Sequence, residues 1–172
     1  MTESVPTSSS TDAQPEAPEV RWLSPAEQHA WRHSLESFEL LISTLDRELR
    51  ASHGLAMSEY EIFVRLSERP DHTMRMAELA DDLAISRSRL THIVTKMEKQ
   101  GWVVRSASAA DGRGVECRMT EAGYALLVDS APVHVRGVRE HLIDQLTPEE
   151  TAALGSAFEK VNAHLRSVRT RP

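Results

Sequence analysis

Met76–Thr120 reads MAELADDLAISRSRLTHIVTKMEKQGWVVRSASAADGRGVECRMT, and its apolar residues change rhythm three times. Leu79, Ala80 and Leu83 stand at helical spacing after Met76, and the Ile85-Ser86 pair then interrupts that period and starts another. In the second period Leu90, Ile93, Val94 and Met97 fall at i, i+3, i+4 and i+7, the buried stripe of a helix whose free first-turn amides Ser86 can cap. Gly101 is placed to end that helix in the left-handed conformation. Trp102–Val104 then reads as a strand and Val115–Met119 as its return, with the turn formers Asp111-Gly112 and Gly114 between them. Arg75, just before Met76, is placed to form a short strand against that hairpin.

Two helices joined by a short turn and followed at once by a hairpin make a winged helix-turn-helix. Its second helix enters a major groove while the wing reaches along the duplex. The face of that helix opposite the apolar stripe carries Arg87, Ser88, Arg89, Thr91, His92 and Lys96. Directional donors read base edges and long cations grip phosphates, so Ser88, Arg89, Thr91 and His92 are expected at bases, Arg87 and Lys96 at phosphates. A solvated charged surface would show the same residue types; the helix-turn-helix and the wing beside it favour DNA. Arg113 sits at the hairpin tip. Arg105 and Arg118, on the strands, either balance charge or meet phosphate.

Composition narrows the class. A chain of 172 residues that is 40% hydrophobic can bury a core, and 5% aromatic content suits helical packing better than a large sheet. A mainly α fold with a small β wing follows. The net charge of -6 argues by itself against a nucleic-acid binder. Its distribution reverses that: Ser86–Arg118 holds seven Lys or Arg (87, 89, 96, 99, 105, 113, 118) against three acids (98, 111, 116). No apolar run is long enough to cross a membrane or act as a signal peptide, so a cytoplasmic protein is expected. The one cysteine, Cys117, excludes an intramolecular disulfide and reads as a small packed strand residue.

No phosphate-binding loop, nucleotide-binding glycine pattern or nucleophile–base pairing is present, and no enzymatic activity or cofactor is expected. His134 and His141, seven apart on one helix face with His33 or His53 as possible companions, raise metal binding. No Cys, Asp or Glu accompanies them at ligand spacing, so no metal is expected.

Along the chain, residues 1–20 hold four Ser, three Thr, three Pro and four acids and read as a disordered tail; 166–172 read as a frayed end. The single domain between them, 21–165, divides into a winged helix over about 55–119 and long flanking helices over about 24–52 and 120–165. Ser24-Pro25-Ala26-Glu27 and Thr147-Pro148-Glu149-Glu150 combine a capping box with proline at the first helical position, and Ser58-Glu59-Tyr60-Glu61 looks like a third box. The first helix carries Trp31, Leu35, Phe38, Ile42, Leu45 and Leu49 on one face; the helix after Thr120 carries Tyr124, Leu127, Val128, Ala131, Val135, Val138 and Leu142, with Pro132 expected to bend it. These apolar faces exceed what one lobe can cover, which implies that they bury each other in a homodimer.

The stretch MAELADDLAISRSRLTHIVTKMEKQGWVVR, with DGRG at 111–114 and RMTEAG at 118–123, resembles the MarR-type (multiple antibiotic resistance) regulators over roughly Leu23–Leu165. Met119 departs from the family's usual Leu before Thr. The resemblance implies a homodimer on double-stranded DNA with the first and last helices at its centre, and a DGR wing in which Asp111 holds Arg113 for the minor groove. It also implies a small-molecule pocket between dimer helices and DNA-binding lobe, open to anionic or phenolic effectors; Trp31, His33, Tyr60, Arg65 and His134 are its candidate linings. The family's redox-sensing branch carries its cysteine in the first helix, where this chain has none.

A sequence-specific, ligand-responsive repressor on a palindromic operator is therefore expected. A winged helix serving as a protein-interaction module is the alternative, kept open by the acidic net charge. General DNA compaction suits the mixed polar face of Ser88, Thr91 and His92 poorly.

Overall fold

A computed structural model describes residues 19–108 and 114–169. The described elements run α1 (Pro25–His53), α2 (Met57–Ser67), β1 (Thr73–Arg75), α3 (Met76–Asp82), α4 (Arg87–Lys99), β2 (Val103–Ala107), β3 (Val115–Met119), α5 (Glu121–His141), a 3-10 turn (Ile143–Gln145) and α6 (Pro148–Arg169). They fall into two compact units that divide inside α1, between Leu35 and Glu36. Among the described residues no helix is long and apolar enough to cross a membrane.

In the first unit, the Ser24 capping box forms as expected: Ser24 N–H donates to Glu27 Oε2 (2.7 Å) and Glu27 N–H to Ser24 Oγ (3.3 Å). Trp22 and Trp31 are exposed, and the His29 and His33 rings meet edge to face one helical turn apart.

The second unit holds the core. Leu45 and Leu49 of α1, Ile62, Phe63 and Leu66 of α2, Leu79 of α3, Leu90, Val94 and Met97 of α4, and Val103, Cys117 and Leu127 pack as one cluster. Each large side chain so buried contributes about 1.5–3 kcal/mol. Leu90, Val94 and Met97 are the predicted stripe of α4, with Ile93 half-buried at its edge. The sheet is antiparallel in the order β1-β3-β2, with Arg75 opposite Glu116 and Arg105 opposite Cys117.

The turn between α3 and α4 is a Schellman motif built on alanine. Ala84 N–H donates to Asp81 C=O (3.2 Å) and Ile85 N–H to Ala80 C=O (3.1 Å), with Ala84 at φ 55°. That region costs a non-glycine residue roughly 1–2 kcal/mol, and the absence of glycine hides the motif in the sequence. The same motif closes α4, there on Gly101 at φ 73°.

One expectation needs correction. The α2 start is not the Ser58 box: the N-cap is Ala56, Glu59 Oε2 accepts from Ala56 N–H (2.8 Å), and Asp46 Oδ1 of α1 accepts from Met57 N–H (2.8 Å). A carboxylate from a neighbouring helix thus takes the place of a local hydroxyl. The apolar faces of α1 and α5 do exceed what the core covers: Phe38, Ile42, Tyr124, Val128 and Val135 stay exposed, because these helices turn only one part of those faces to the core. The Thr147 box forms as expected (Thr147 N–H to Glu150 Oε2, 2.8 Å), and α6 buries no residue, although Phe158 meets Phe38 edge to face. α5 continues through Pro132 to His141.

Candidate nucleic-acid interface

Ser86 fixes where α4 begins. Its hydroxyl accepts from Arg89 N–H (3.2 Å), so the helix starts at Arg87 and its first turn is held open to solvent. Arg87, Ser88, Arg89, Thr91 and His92 are all exposed on that end. Thr91 Oγ1 donates to Arg87 C=O (2.8 Å), which leaves its lone pairs and its methyl group to face outward.

Lys96 is exposed too, yet its ammonium is engaged within the protein: Nζ lies 2.8 Å from Oε1 of the buried Glu59. Arg105 on β2 is held by Glu98 at the end of α4. Its Nη2 and Nε donate to Glu98 Oε2 (2.6 and 3.1 Å) and its N–H to Oε1 (3.0 Å). These hydrogen bonds keep the Glu98 carboxyl below the usual range, the side-chain bonds contributing most. The ion pair ties the recognition helix to the first wing strand.

A cavity of about 600 Å³ is lined by Arg87 and Thr91 of α4, by Arg105, Gly114 and Val115 of the wing, and by Arg75, Met76 and Ala77 at the start of α3. Asp111 and Arg113, the expected wing tip, lie outside the described residues. The sequence reading missed what the Arg75 side chain does at the neck of the wing. Its Nη2 donates to Ser108 Oγ (3.4 Å), and Ser108 Oγ donates to Glu116 Oε1 (2.6 Å). The short strand at Arg75 forms as expected, but its register opposite Glu116 is a fact that no local pattern reveals.

Of the expected effector-site residues, the fold brings Tyr60, Arg65 and His134 to one cavity of about 250 Å³, with Glu61 and Asp82. The Tyr60 and His134 rings are 4.5 Å apart. Burial raises the Tyr60 pKa and lowers that of His134, and His134 Nδ1 is buried without a hydrogen-bond partner among the described residues. Trp31 and His33 belong to the other unit and are exposed there.

His141 Nε2 lies 2.7 Å from Glu48 Oε1, and among the described residues no three His, Cys, Asp or Glu side chains gather as a metal site. Cys117 is fully buried, and burial pushes its thiol up to about 12, so it is a packed side chain with negligible thiolate at neutral pH.

The MarR family model matches residues 55–115, the span from α2 to the second wing strand. The solved structure of Sco3205, a MarR family transcriptional regulator from Streptomyces coelicolor in complex with DNA, is similar over most of the chain. Its TM-score is 0.82 at 41% identity, covering 87% of this chain and 93% of that one. The chain belongs to the MarR family. A second MarR family structure, AbsC from the same organism, is similar at 42% identity and a TM-score of 0.80, covering 86% of this chain and 99% of that one. Among curated proteins, the HTH-type transcriptional regulator PecS of Dickeya dadantii is 26% identical over 133 residues, 77% of this chain and 80% of its own length. As a MarR family member, the chain is a transcriptional regulator of the DNA-binding, winged helix-turn-helix type.

Proposed function

We propose that this MarR family regulator acts as a homodimeric, ligand-responsive repressor on a palindromic operator. The observation that carries the reading is the exposed N-terminal end of α4, with Arg87, Ser88, Arg89, Thr91 and His92 outward, beside a cavity walled by the wing. In that pose Ser88, Arg89, Thr91 and His92 read base edges and Arg87 takes phosphate. Arg113 supplies the minor-groove contact, with Asp111 as its support.

The dimer is supported by what the single chain leaves uncovered. Phe38 and Ile42 on α1 and Val161, Leu165 and Val168 on α6 are exposed, and α6 has no buried residue. A second copy covers such faces with the same faces of its own, and the two-fold axis places two α4 helices about one duplex turn apart, roughly 10 base pairs.

Tyr60, Arg65 and His134 form the effector site in this proposal. Two carboxylates, Glu61 and Asp82, face one guanidinium there, so the cavity suits a neutral phenol better than an anion. A single ring fits, since a cavity of about 150 Å³ already admits benzene. The effector acts only if it binds one arrangement of the two lobes better than the other.

Fluorescence anisotropy with the DNA upstream of the protein's own gene, against a scrambled duplex, at two salt concentrations, tests the reading. Tight, salt-sensitive binding that prefers the upstream DNA supports it. Equal affinity for both duplexes sinks sequence-specific regulation at that site, and addition of a simple phenol without loss of affinity sinks the effector assignment.

A further inference from the structure

We propose that Lys96 is a positioning residue of operator recognition: through Glu59, Asp46 and Arg50 it ties the recognition helix to α1 and so sets which half-site spacing the protein accepts. The inference rests on the homodimer and palindromic operator proposed above, and it gives another role to a cation that the sequence places on a phosphate.

Two acids and two bases meet where α1, the start of α2 and the last turn of α4 come together. Lys96 Nζ lies 2.8 Å from Glu59 Oε1, and Glu59 Oε2 accepts from Ala56 N–H (2.8 Å) at the N-cap of α2. Asp46 Oδ1 accepts from Met57 N–H (2.8 Å), the next amide of that helix, and Asp46 Oδ2 accepts from Arg50 Nε (2.6 Å). The pairs also act on each other, Lys96 attracting Asp46 and Arg50 attracting Glu59. Two carboxylates from different helices thus hold one helix start, and one of them holds α4 as well.

Burial of Leu90, Val94 and Met97 keeps α4 against the core, but hydrophobic burial is non-directional. The bond to Glu59 is directional. Its side chain is 2% exposed, so moving the Lys96 end of α4 away leaves a buried charge without its partner. The penalty falls on displacement, which is how a buried ion pair fixes register. Glu98, in the same last turn, holds Arg105 of β2, so the wing moves with the helix. On α1, the exposed Phe38 and Ile42 lie one and two turns before Asp46. A second copy seated on them fixes α1, and the four charges carry that reference to α4.

One base pair added between half-sites moves the second by about 3.4 Å and turns it by roughly 34–36°. A recognition helix tied to the dimer helix resists that displacement; a loosened one follows it at less cost.

For the test, the wild-type protein first selects its operator from random duplexes, and shifted versions then carry one base pair more or one fewer between the half-sites. Anisotropy gives, for each protein, the ratio of its affinities for the selected and the shifted spacing. Lys96→Met, Glu59→Gln and Asp46→Asn remove a charge, and Lys96→Arg keeps it. Ile62→Val is a control for lost stability, a conservative truncation of a fully buried side chain. Wild type should lose about tenfold or more on the shifted duplexes, and the charge-removing variants should shrink that ratio by about threefold or more. Lys96→Arg and Ile62→Val should keep the wild-type ratio. If Lys96→Met fails to fold, Glu59→Gln and Asp46→Asn, which keep acceptors for Ala56 and Met57, decide.

Wild-type ratios in the charge-removing variants overturn the inference while the dimer reading stands. So does an equally reduced ratio in Ile62→Val, because the effect then reports stability and not position. A salt slope lower by about 0.9 in Lys96→Met, with its spacing ratio intact, makes Lys96 a phosphate contact instead. A wild type that selects no duplex, or binds all spacings equally, overturns the operator reading and this inference with it.

Discussion

Lys96 Nζ sits 2.8 Å from Oε1 of Glu59, a carboxylate that is 1% exposed, while the other Glu59 oxygen accepts from Ala56 N–H at the start of α2. One acid side chain thus caps α2 and pins α4 to it. Glu59→Ala removes both interactions and is expected to cost roughly 2–4 kcal/mol, and Glu59→Gln, which keeps an acceptor for Ala56, clearly less. Lys96→Met leaves Glu59 buried without its partner; the half-exposed position lets water compensate, so about 1–2 kcal/mol is expected. Urea midpoints check the series. Because the ammonium is already engaged, Lys96→Met is also expected to leave the salt slope of DNA binding unchanged.

In the proposed reading, Arg87 takes phosphate and Ser88 a base edge, so the two variants separate grip from reading. Arg87→Ala should weaken binding to upstream and scrambled DNA alike and lower the salt slope by about 0.9 per phosphate. Ser88→Ala should leave the slope alone and cost roughly 1–3 kcal/mol of discrimination between the two duplexes. Anisotropy titrations of both variants decide; a Ser88→Ala protein with unchanged discrimination removes Ser88 from the base-reading set.

Gly123, in the first turn of α5, has no room for a side chain. A Cβ there would lie 2.2 Å from Trp102 C=O and 3.1 Å from Met119 and Phe63. Gly123→Ala must displace backbone at the root of the wing, with an expected cost of about 3 kcal/mol or more. At Gly137 the Cβ would meet the Glu48 carboxylate and the Leu45 methyl, both at 2.6 Å. Those are side-chain ends that can swing, so Gly137→Ala should cost about half as much. Denaturant unfolding of the two variants gives the ratio.

His134 makes stability depend on pH. Burial lowers its pKa below the ordinary imidazole value of 6.5, so the unfolded chain takes up the proton first. Its contribution is fully present above pH 6.5 and is lost as pH falls through the folded-state value. Glu61, Arg65 and Asp82 line the same cavity, and Tyr60 stays protonated throughout that range. Against a His134→Gln variant, wild type should therefore lose stability as pH falls below 6.5; parallel curves for the two proteins would mean that His134 does not titrate differently in the folded state.

Met76–Thr120 was legible over most of its length because its signals are local. A stripe at i, i+3, i+4 and i+7, a serine before it and a glycine after it all act within a few bonds of one another. Backbone geometry then leaves little choice about α4. The hairpin strands were legible for the same reason, and so were the Ser24 and Thr147 caps.

What the tertiary structure decided were relations between residues distant in the chain. Asp46 reaching the amide of Met57, Glu59 meeting Lys96, and Arg75 meeting Ser108 depend on how the helices and the wing pack, and no spacing rule encodes that packing. The apolar stripes of α1, α5 and α6 show the limit from the other side. Periodicity says that a face must be covered, since leaving it in water costs about 25 cal/mol per Å², but it is silent on what covers each part. In this chain Leu45, Leu49 and Leu127 go to the core while Phe38, Ile42, Val161 and Leu165 remain outside it. Sequence determined the winged helix-turn-helix because its helices and hairpin specify themselves; only the folded chain determined which side chains share the gap between recognition helix and wing, because that is a matter of distance in space.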